Sequence, residues 1–344
     1  MRIFHAADRT ATSADARDGE PSWRRDLAHA IRDVPELLRA VGLEGDAAAS
    51  LTPDFPLVAT RSFVRRMRRG DAHDPLLRQV LPLSAEDDLV PGFGIDPIGE
   101  ADATARPGLL HKYDGRVLVV ATSTCAIHCR YCFRRHFPYG EAPRGRDAID
   151  ECVDYVRADP TIHEVLLSGG DPLLLSDGVL DEWSARLAAV PHLRRLRIHS
   201  RLPIVLPSRV DDGLLGWIER TRAAGVTPWI VVHANHAAEL VGDCADALGR
   251  LVDAGVPVLN QAVLLRGVND DEDALAELCE RLVDLRVQPY YLHQLDPVAG
   301  AAHFHVEETR GLELVAALRR RLPGYAVPRY VREDAGEAHK TDLA

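Results

Sequence analysis

From residue 116 onward the chain alternates short β-branched runs with longer amphipathic stretches, and this rhythm restricts the possible folds more than any other feature. The runs are RVLVVATST (116–124), EVLLSGG (164–170), RLRIHSR (195–201), VTPWIVVHAN (226–235), VPVLNQAVLLRG (256–267) and VQPYYLHQLD (287–296). Segments of helical length separate them, among them 211–224, 237–254 and 272–285. Strand, helix, strand repeated in this way requires a parallel sheet with right-handed crossovers, and six units are too few to close an eight-stranded barrel. The expected fold is α/β, a partial TIM-like (β/α)6 barrel. Earlier in the chain, apolar positions are helix-spaced in WRRDLAHAIRDVPELLRAVGL and then broken by the proline-bearing turns LTPDFP, HDPLL and LVPGFGIDPIG. The expected division is an N-terminal helical region (1–105), a barrel (106–322) and a C-terminal segment (323–344).

With 46% apolar residues over 344 positions the chain can bury a large core, and its formal net charge of −11 argues against a general nucleic-acid binder. The opening MRIFHAADRTATSADARDGE has no apolar h-region. No later stretch approaches the roughly 20 apolar residues of a membrane span, so the expected location is the cytoplasm, with no membrane partner. Six cysteines, three of them bunched, do not read as a disulfide framework in a chain this long. In a reducing compartment such a bunch more often holds metal.

In a sheet of this kind, ligands bind beyond the carboxyl ends of the strands. Polar residues collect there: the cysteine loop after the first run, Ser168, Gly169, Gly170 and Asp171 after the second, His199, Ser200 and Arg201 after the third, His233, Asn235 and His236 after the fourth, and Asp296 after the sixth. Cys125, Cys129 and Cys132 are spaced C-x3-C-x2-C. A structural zinc site needs four closed ligands, and His128 or His136 would have to be conscripted as the fourth. A cubane iron–sulfur cluster can use three thiolates on three irons and leave the fourth iron open.

This loop, with Tyr131 before its last cysteine and a later strand ending in GGD, resembles that of the radical S-adenosylmethionine (SAM) enzymes. The resemblance implies a [4Fe-4S] cluster on Cys125, Cys129 and Cys132, SAM on the open iron, SAM contacts from Ser168, Gly169, Gly170 and Asp171, and a cellular one-electron reductant. The order of LLHKYDGRVLVV, CRYCFRRHFPYG, LSGGDPL, RIHSRLPIVLP, NQAVLLRGVND, YYLHQLDPVAGAAHF and HKT across residues 106–344 is similar to that of lysine 2,3-aminomutases. In that family a late lysine forms the internal aldimine with pyridoxal phosphate (PLP), which implies Lys340. Lysine is the residue type required, since its amine must attack an aldehyde and later be displaced. The resemblance further implies that Arg134 takes the substrate carboxylate and that Asp296 and Glu333 receive the side-chain ammonium of L-lysine, although the family more often carries aspartate at the second acidic position. Lys112, Tyr113 and Arg116 resemble the family's phosphate and ring contacts, while Ser200, Arg201, His233, Asn235, Asn260 and Gln261 are further candidates for SAM or PLP. Charge favours lysine: an enclosed ammonium needs an acidic partner, and the same acids would repel glutamate.

FRRHFPYG, RIHSRLPIVLP and GAAHF resemble the branch that supplies (R)-β-lysine to a lysyl ligase acting on elongation factor P. The family's usual KTP reads KTD here, and the approach to the lysine, DAGEAHK, has fewer glycines. Clostridial-type members carry a cysteine-bearing C-terminal extension that binds zinc between subunits, a feature not expected here. The expected activity is that of an isomerase converting L-α-lysine to (R)-β-lysine by 2,3-amino migration. The rivals are an aminomutase for another amino acid such as arginine or glutamate, and an iron–sulfur protein without turnover.

Overall fold

The computed structural model describes residues 21–45, 49–141 and 145–344. The expectation of no leader rests on residues 1–20, which lie outside the described residues. Ten strands form one open sheet in chain order. Strands β1 (Thr104–Arg106) and β2 (Leu109–Tyr113) pair antiparallel at one edge. Then β3 (Arg116–Thr122), β4 (Glu164–Gly169), β5 (Arg195–His199), β6 (Thr227–His233), β7 (Val258–Val263) and β8 (Gln288–His293) run parallel, matching the six expected runs. β9 (Arg329–Arg332) adds a further parallel strand beside β8, and β10 (Thr341–Asp342) turns back antiparallel on β9. The C-terminal segment is therefore part of the sheet.

Alternation along the strands sets which side chains line the cavity of the barrel. In β5 the buried Leu196 and Ile198 point one way, while the half-buried Arg195, Arg197 and His199 line the cavity. In β7, likewise, Leu259, Gln261 and Val263 line the cavity. Charged side chains of β5 and apolar ones of β7 thus share the lining of one cavity.

The helices are α1 (Ser22–Ala28), α2 (Val34–Val41), α3 (Arg61–Val64), α4 (Pro75–Arg78), α5 (Arg146–Ala158), α6 (Asp177–Ala188), α7 (Leu202–Val205), α8 (Asp212–Ala223), α9 (Asp243–Asp253), α10 (Glu272–Asp284) and α11 (Glu308–Arg321). The expected helices at 211–224 and 272–285 form within a residue of those bounds because Asp211 and Asp271 cap their first turns. The one expected at 237–254 is shorter: a single turn at Ala237–Glu239 is followed by Gly242 at φ 56, and α9 starts after it. Before the sheet, the long helical pattern splits. Ile31 bridges to Ala59, and the chain re-enters helix where the Asp33 carboxylate accepts from the Glu36 amide with Pro35 in the first turn. The region is less helical than expected, with four helices of at most eight residues among the described residues. Its apolar side chains, Trp23, Leu37, Phe63, Leu76 and Leu77, join the main core. No helix among the described residues is long and apolar enough to cross a membrane.

Candidate functional site

The segment following β3 runs directly into Cys125, and the end of β4 holds it. The Gly170 amide donates to the Thr122 carbonyl (2.7 Å) and the Asp171 amide to the Thr124 carbonyl (2.8 Å). A Cβ on Gly169 would stand 2.6 Å from the Thr122 oxygen, and one on Gly170 would stand 2.3 Å from that of Thr124. Gly169 also has φ +109. The glycine pair is thus needed for close backbone approach beside the first cysteine. Next to it, the Asp171 carboxylate accepts from Ser200 Oγ (2.7 Å) and from the amides of Arg201 (2.7 Å), Leu202 (3.1 Å) and Leu173 (3.1 Å). Burial raises its pKa to about 6, with those four donors working in the opposite direction. The side chains of Asp171 and Ser200 thus latch the end of β4 to the end of β5, and both residues line the cavity together with Gly169 and Gly170.

The other side of the cysteine loop is held by the N-terminal region. The His128 amide donates to the Val58 carbonyl and that of Arg130 to the Gln79 carbonyl, both at 2.9 Å. Glu86 sits between Arg130 (2.5 Å) and Arg135 (2.9 Å), with the Phe55 ring 4.9 Å from each guanidinium. Burial alone would raise the Glu86 pKa, but the two guanidiniums outweigh it and hold it below the usual value.

Burial also pushes the Cys125 and Cys132 thiols up, Cys132 to about 11, and the neighbouring cysteines push in the same direction. Thiols placed so become thiolates readily only against a metal, which deprotonates a coordinating thiol outright. Among the described residues no three Cys, His, Asp or Glu side chains gather as a single metal ion requires. A cubane takes one thiolate per iron, so the donor set fits a cluster better than a lone zinc ion.

The three cysteines open on a cavity of about 1020 Å³ that also contains Lys340, Glu333 and Asp296. It is lined as well by Lys112, Tyr113, Arg116, Arg134, Ser168, Ser200, Arg201, His233 and Gln261. Asn235 and Asn260 are instead buried in framework bonds, Asn260 to both backbone groups of Ala234 and Asn235 to Gln79 and Tyr131. That corrects their candidacy as cofactor contacts.

Lys340 stands on a hairpin. Thr341 pairs with Arg332 and Asp342 with Val331, Thr341 Oγ1 donates to Asp334 (2.6 Å), and the Leu343 amide donates to the Tyr330 carbonyl (2.8 Å). A stretch that composition alone would let fray is held by backbone pairing. The Lys340 ammonium and the Tyr113 hydroxyl both donate to Glu333, as does Lys112 at 2.7 Å. Burial would raise the Glu333 pKa, but these donors, Lys340 foremost, lower it to about 2. Lys112 therefore shares Glu333 with Lys340 and lines the same cavity. Asp296 makes no side-chain hydrogen bond among the described residues, and burial lifts its pKa to about 7 against the pull of Lys340. Arg134 forks onto Glu100 (Nη2 2.5 Å, Nε 2.8 Å) and places Nη1 on Ser168 (2.9 Å). Arg116 lies 4.5 Å from the centre of the Tyr113 ring. His199, His233 and His293 all line the cavity, and burial keeps each imidazole neutral, with His293 near 3.

Glu100, Glu86, Gln79 and Glu239 went unnoticed in the sequence. They fall outside the strand–helix rhythm or within short turns, where nothing marks a glutamate or glutamine as buried.

The radical SAM superfamily profile matches residues 119–279, which run from within β3 into α10 and include the cysteine loop. Partial barrel, three-cysteine loop and profile together make the chain a radical SAM protein. It is 43% identical over 325 residues to the L-lysine 2,3-aminomutase of Escherichia coli (strain K12), spanning 93% of this chain and 94% of that one. To the L-lysine 2,3-aminomutase of Clostridium subterminale it is 36% identical over 93% of this chain and 77% of that one. The chain belongs to the lysine 2,3-aminomutase family of radical SAM isomerases. Among solved structures, a radical SAM methyltransferase from Sphaerobacter thermophilus aligns with a TM-score of 0.45 at 19% identity, over 65% of this chain and 68% of that one.

Proposed function

We propose that this chain converts L-lysine to (R)-β-lysine in the cytoplasm, with a [4Fe-4S] cluster on Cys125, Cys129 and Cys132, SAM, and PLP carried by Lys340. The observation that carries the reading is that the three thiols, the hairpin lysine and two carboxylates share one cavity of about 1020 Å³. When bound, the cluster and SAM supply a hydrogen-abstracting carbon radical, and PLP holds the migrating nitrogen and delocalises the unpaired electron.

The chain's own residues bind and orient. Lys340 offers its amine from a backbone-anchored position, and Glu333 steadies that amine until the substrate replaces it. The substrate's distal ammonium would then have two acceptors: Asp296, whose side chain makes no hydrogen bond among the described residues, and Glu333, which it would share with Lys112 and Tyr113. The Nη1 edge of Arg134 is the guanidinium edge that Glu100 leaves for the substrate carboxylate. Neutral imidazoles at His199, His233 and His293 add dipoles to the cavity without adding charge. Enclosure by the sheet keeps the reacting carbon close to its partners and away from water, which is largely a matter of positioning.

We infer in addition that the product passes to a lysyl ligase that modifies elongation factor P, a reading supported by FRRHFPYG, RIHSRLPIVLP and GAAHF. The test is anaerobic: reconstitute iron and sulfide, add PLP, SAM, a strong reductant and L-lysine, and look for β-lysine by chromatography. Product that disappears in Cys129→Ala sustains the reading. No product from a protein with a reducible cluster and bound PLP overturns lysine as substrate, and arginine and ornithine are tried next.

A further inference from the structure

We propose that Arg201 is a positioning residue that donates a hydrogen bond to the Cys129 sulfur and raises the reduction potential of the cluster, and that Glu239 restrains it. The proposal rests on the cluster reading above and gives Arg201 a different role from the SAM or PLP contact expected of it. Arg201 lies two residues past the end of β5 and is 6% exposed. Its Nη1 lies 2.7 Å from Cys129 Sγ and 2.8 Å from the Tyr131 hydroxyl. Its Nη2 lies 2.6 Å from Gln79 Oε1 and 2.9 Å from Glu239 Oε2. The Phe63 ring, 5.4 Å from the guanidinium carbon, packs against it. Cys129 Sγ accepts directly from a guanidinium, whereas the Arg134 and Arg135 cations act on Cys132 through space and its hydrogen bond comes from the Arg134 amide.

Reduction adds one electron, from an external reductant, to an oxidised cluster, and that negative charge is shared with the sulfurs. An N–H donor on a sulfur stabilises the reduced form and lifts the potential, as does a nearby positive charge, and burial strengthens both effects. Glu239 acts the other way. It is fully buried and holds its carboxylate in place with the amides of Asn235 (2.9 Å) and His236 (3.1 Å) and the Gln79 side chain (3.0 Å). Its charge offsets part of the Arg201 charge felt at Cys129. A cluster that is easier to reduce is also a weaker donor to SAM. The pair therefore sets a compromise between accepting an electron and passing it on.

The two charges predict potential shifts of opposite sign, which general loosening of the site would not produce. Wild type, Arg201→Gln and Glu239→Gln are reconstituted with PLP, assayed for iron and sulfide per chain, and titrated with EPR detection of the reduced cluster. The expected result is a more negative midpoint for Arg201→Gln and a more positive one for Glu239→Gln. Shifts in the same direction, or a midpoint unmoved in both, overturn the proposal. If Arg201→Gln takes up less iron than wild type, Glu239→Gln decides alone: a positive shift sustains the proposal, and none overturns it. Failure of the cluster reading is distinguished at the first step, because then Cys129→Ala binds as much iron as wild type.

Discussion

Glu333 and Asp296 face one cavity in unequal states of charge. Glu333 accepts from two ammonium groups and a tyrosine hydroxyl and is held near 2, whereas the Asp296 side chain makes no hydrogen bond among the described residues and is lifted to about 7. Two acids that a sequence presents as an equivalent pair are thus unequal before substrate arrives: one is ionised and occupied, the other half-protonated and vacant.

Asp296 should therefore write a pH dependence into substrate binding. Its carboxyl titrates near 7 in the folded protein instead of 3.8. The ionised form that attracts an ammonium is lost as pH falls through that value. The lysine side chain remains an ammonium to about pH 10, so the KM for lysine should fall as pH rises from about 6 to about 8, by up to roughly tenfold per unit below the midpoint. Asp296→Asn should raise KM and flatten this limb. Initial-rate kinetics at several pH values decide it; an Asn variant that keeps the limb assigns the titration to another group.

Lys340 should be the one lysine that PLP modifies. Reduction of the PLP-loaded protein with borohydride followed by peptide mass spectrometry should find the phosphopyridoxyl group on the 333–344 stretch, and Lys340→Ala should lose it. Lys112, whose ammonium shares Glu333 with Lys340, is the control: label there would refute the assignment.

Glu86 should tie the cysteine loop to the N-terminal region energetically. Removing one partner of a buried ion pair costs roughly 3–5 kcal/mol, and Glu86→Ala leaves Arg130, fully buried, and Arg135 without their carboxylate. Urea unfolding should show a loss of that order. Because the folded pKa of Glu86 is depressed below 4.5, its stabilisation is present above that pH and disappears as pH falls through the folded value. The wild-type advantage over the variant should shrink in acid, and a constant difference would discount the ion pair.

The rhythm of β-branched runs was enough to place β3 to β8, because strand period and helix length are local properties written into neighbouring residues. Spacing and order single out the three cysteines and Lys340, and the fold brings them to one cavity. Partnerships across the fold were not legible. Nothing near Glu100 indicates that it will meet Arg134, thirty-four residues away, nor near Gln79 that it will meet Arg201. The hairpin that steadies Lys340 was missed for a related reason: β10 has two residues, too few for any periodic signal, and its stability comes from β9. Asp171 shows the same limit: its place in the GGD turn marks it as near a ligand, but nothing in the sequence shows that its carboxylate also accepts from four donors in its own turn and just past β5.

Gly170 separates a backbone requirement from a ligand requirement. An added Cβ would lie 2.3 Å from the Thr124 oxygen and 2.7 Å from its nitrogen, both backbone atoms that cannot move without carrying Cys125 along. Overpacking of this kind costs roughly 1–3 kcal/mol, so Gly170→Ala should lower the urea midpoint. It should also reduce the iron bound per chain, even with SAM absent, because the displaced residue is a candidate ligand. Gly178, in the first turn of α6, has nothing within 4 Å of its added Cβ. Gly178→Ala should leave iron content unchanged and stability equal or up to about 1 kcal/mol higher. If Gly170→Ala binds full iron and loses only affinity for SAM, the glycine serves the ligand and not the cysteine loop.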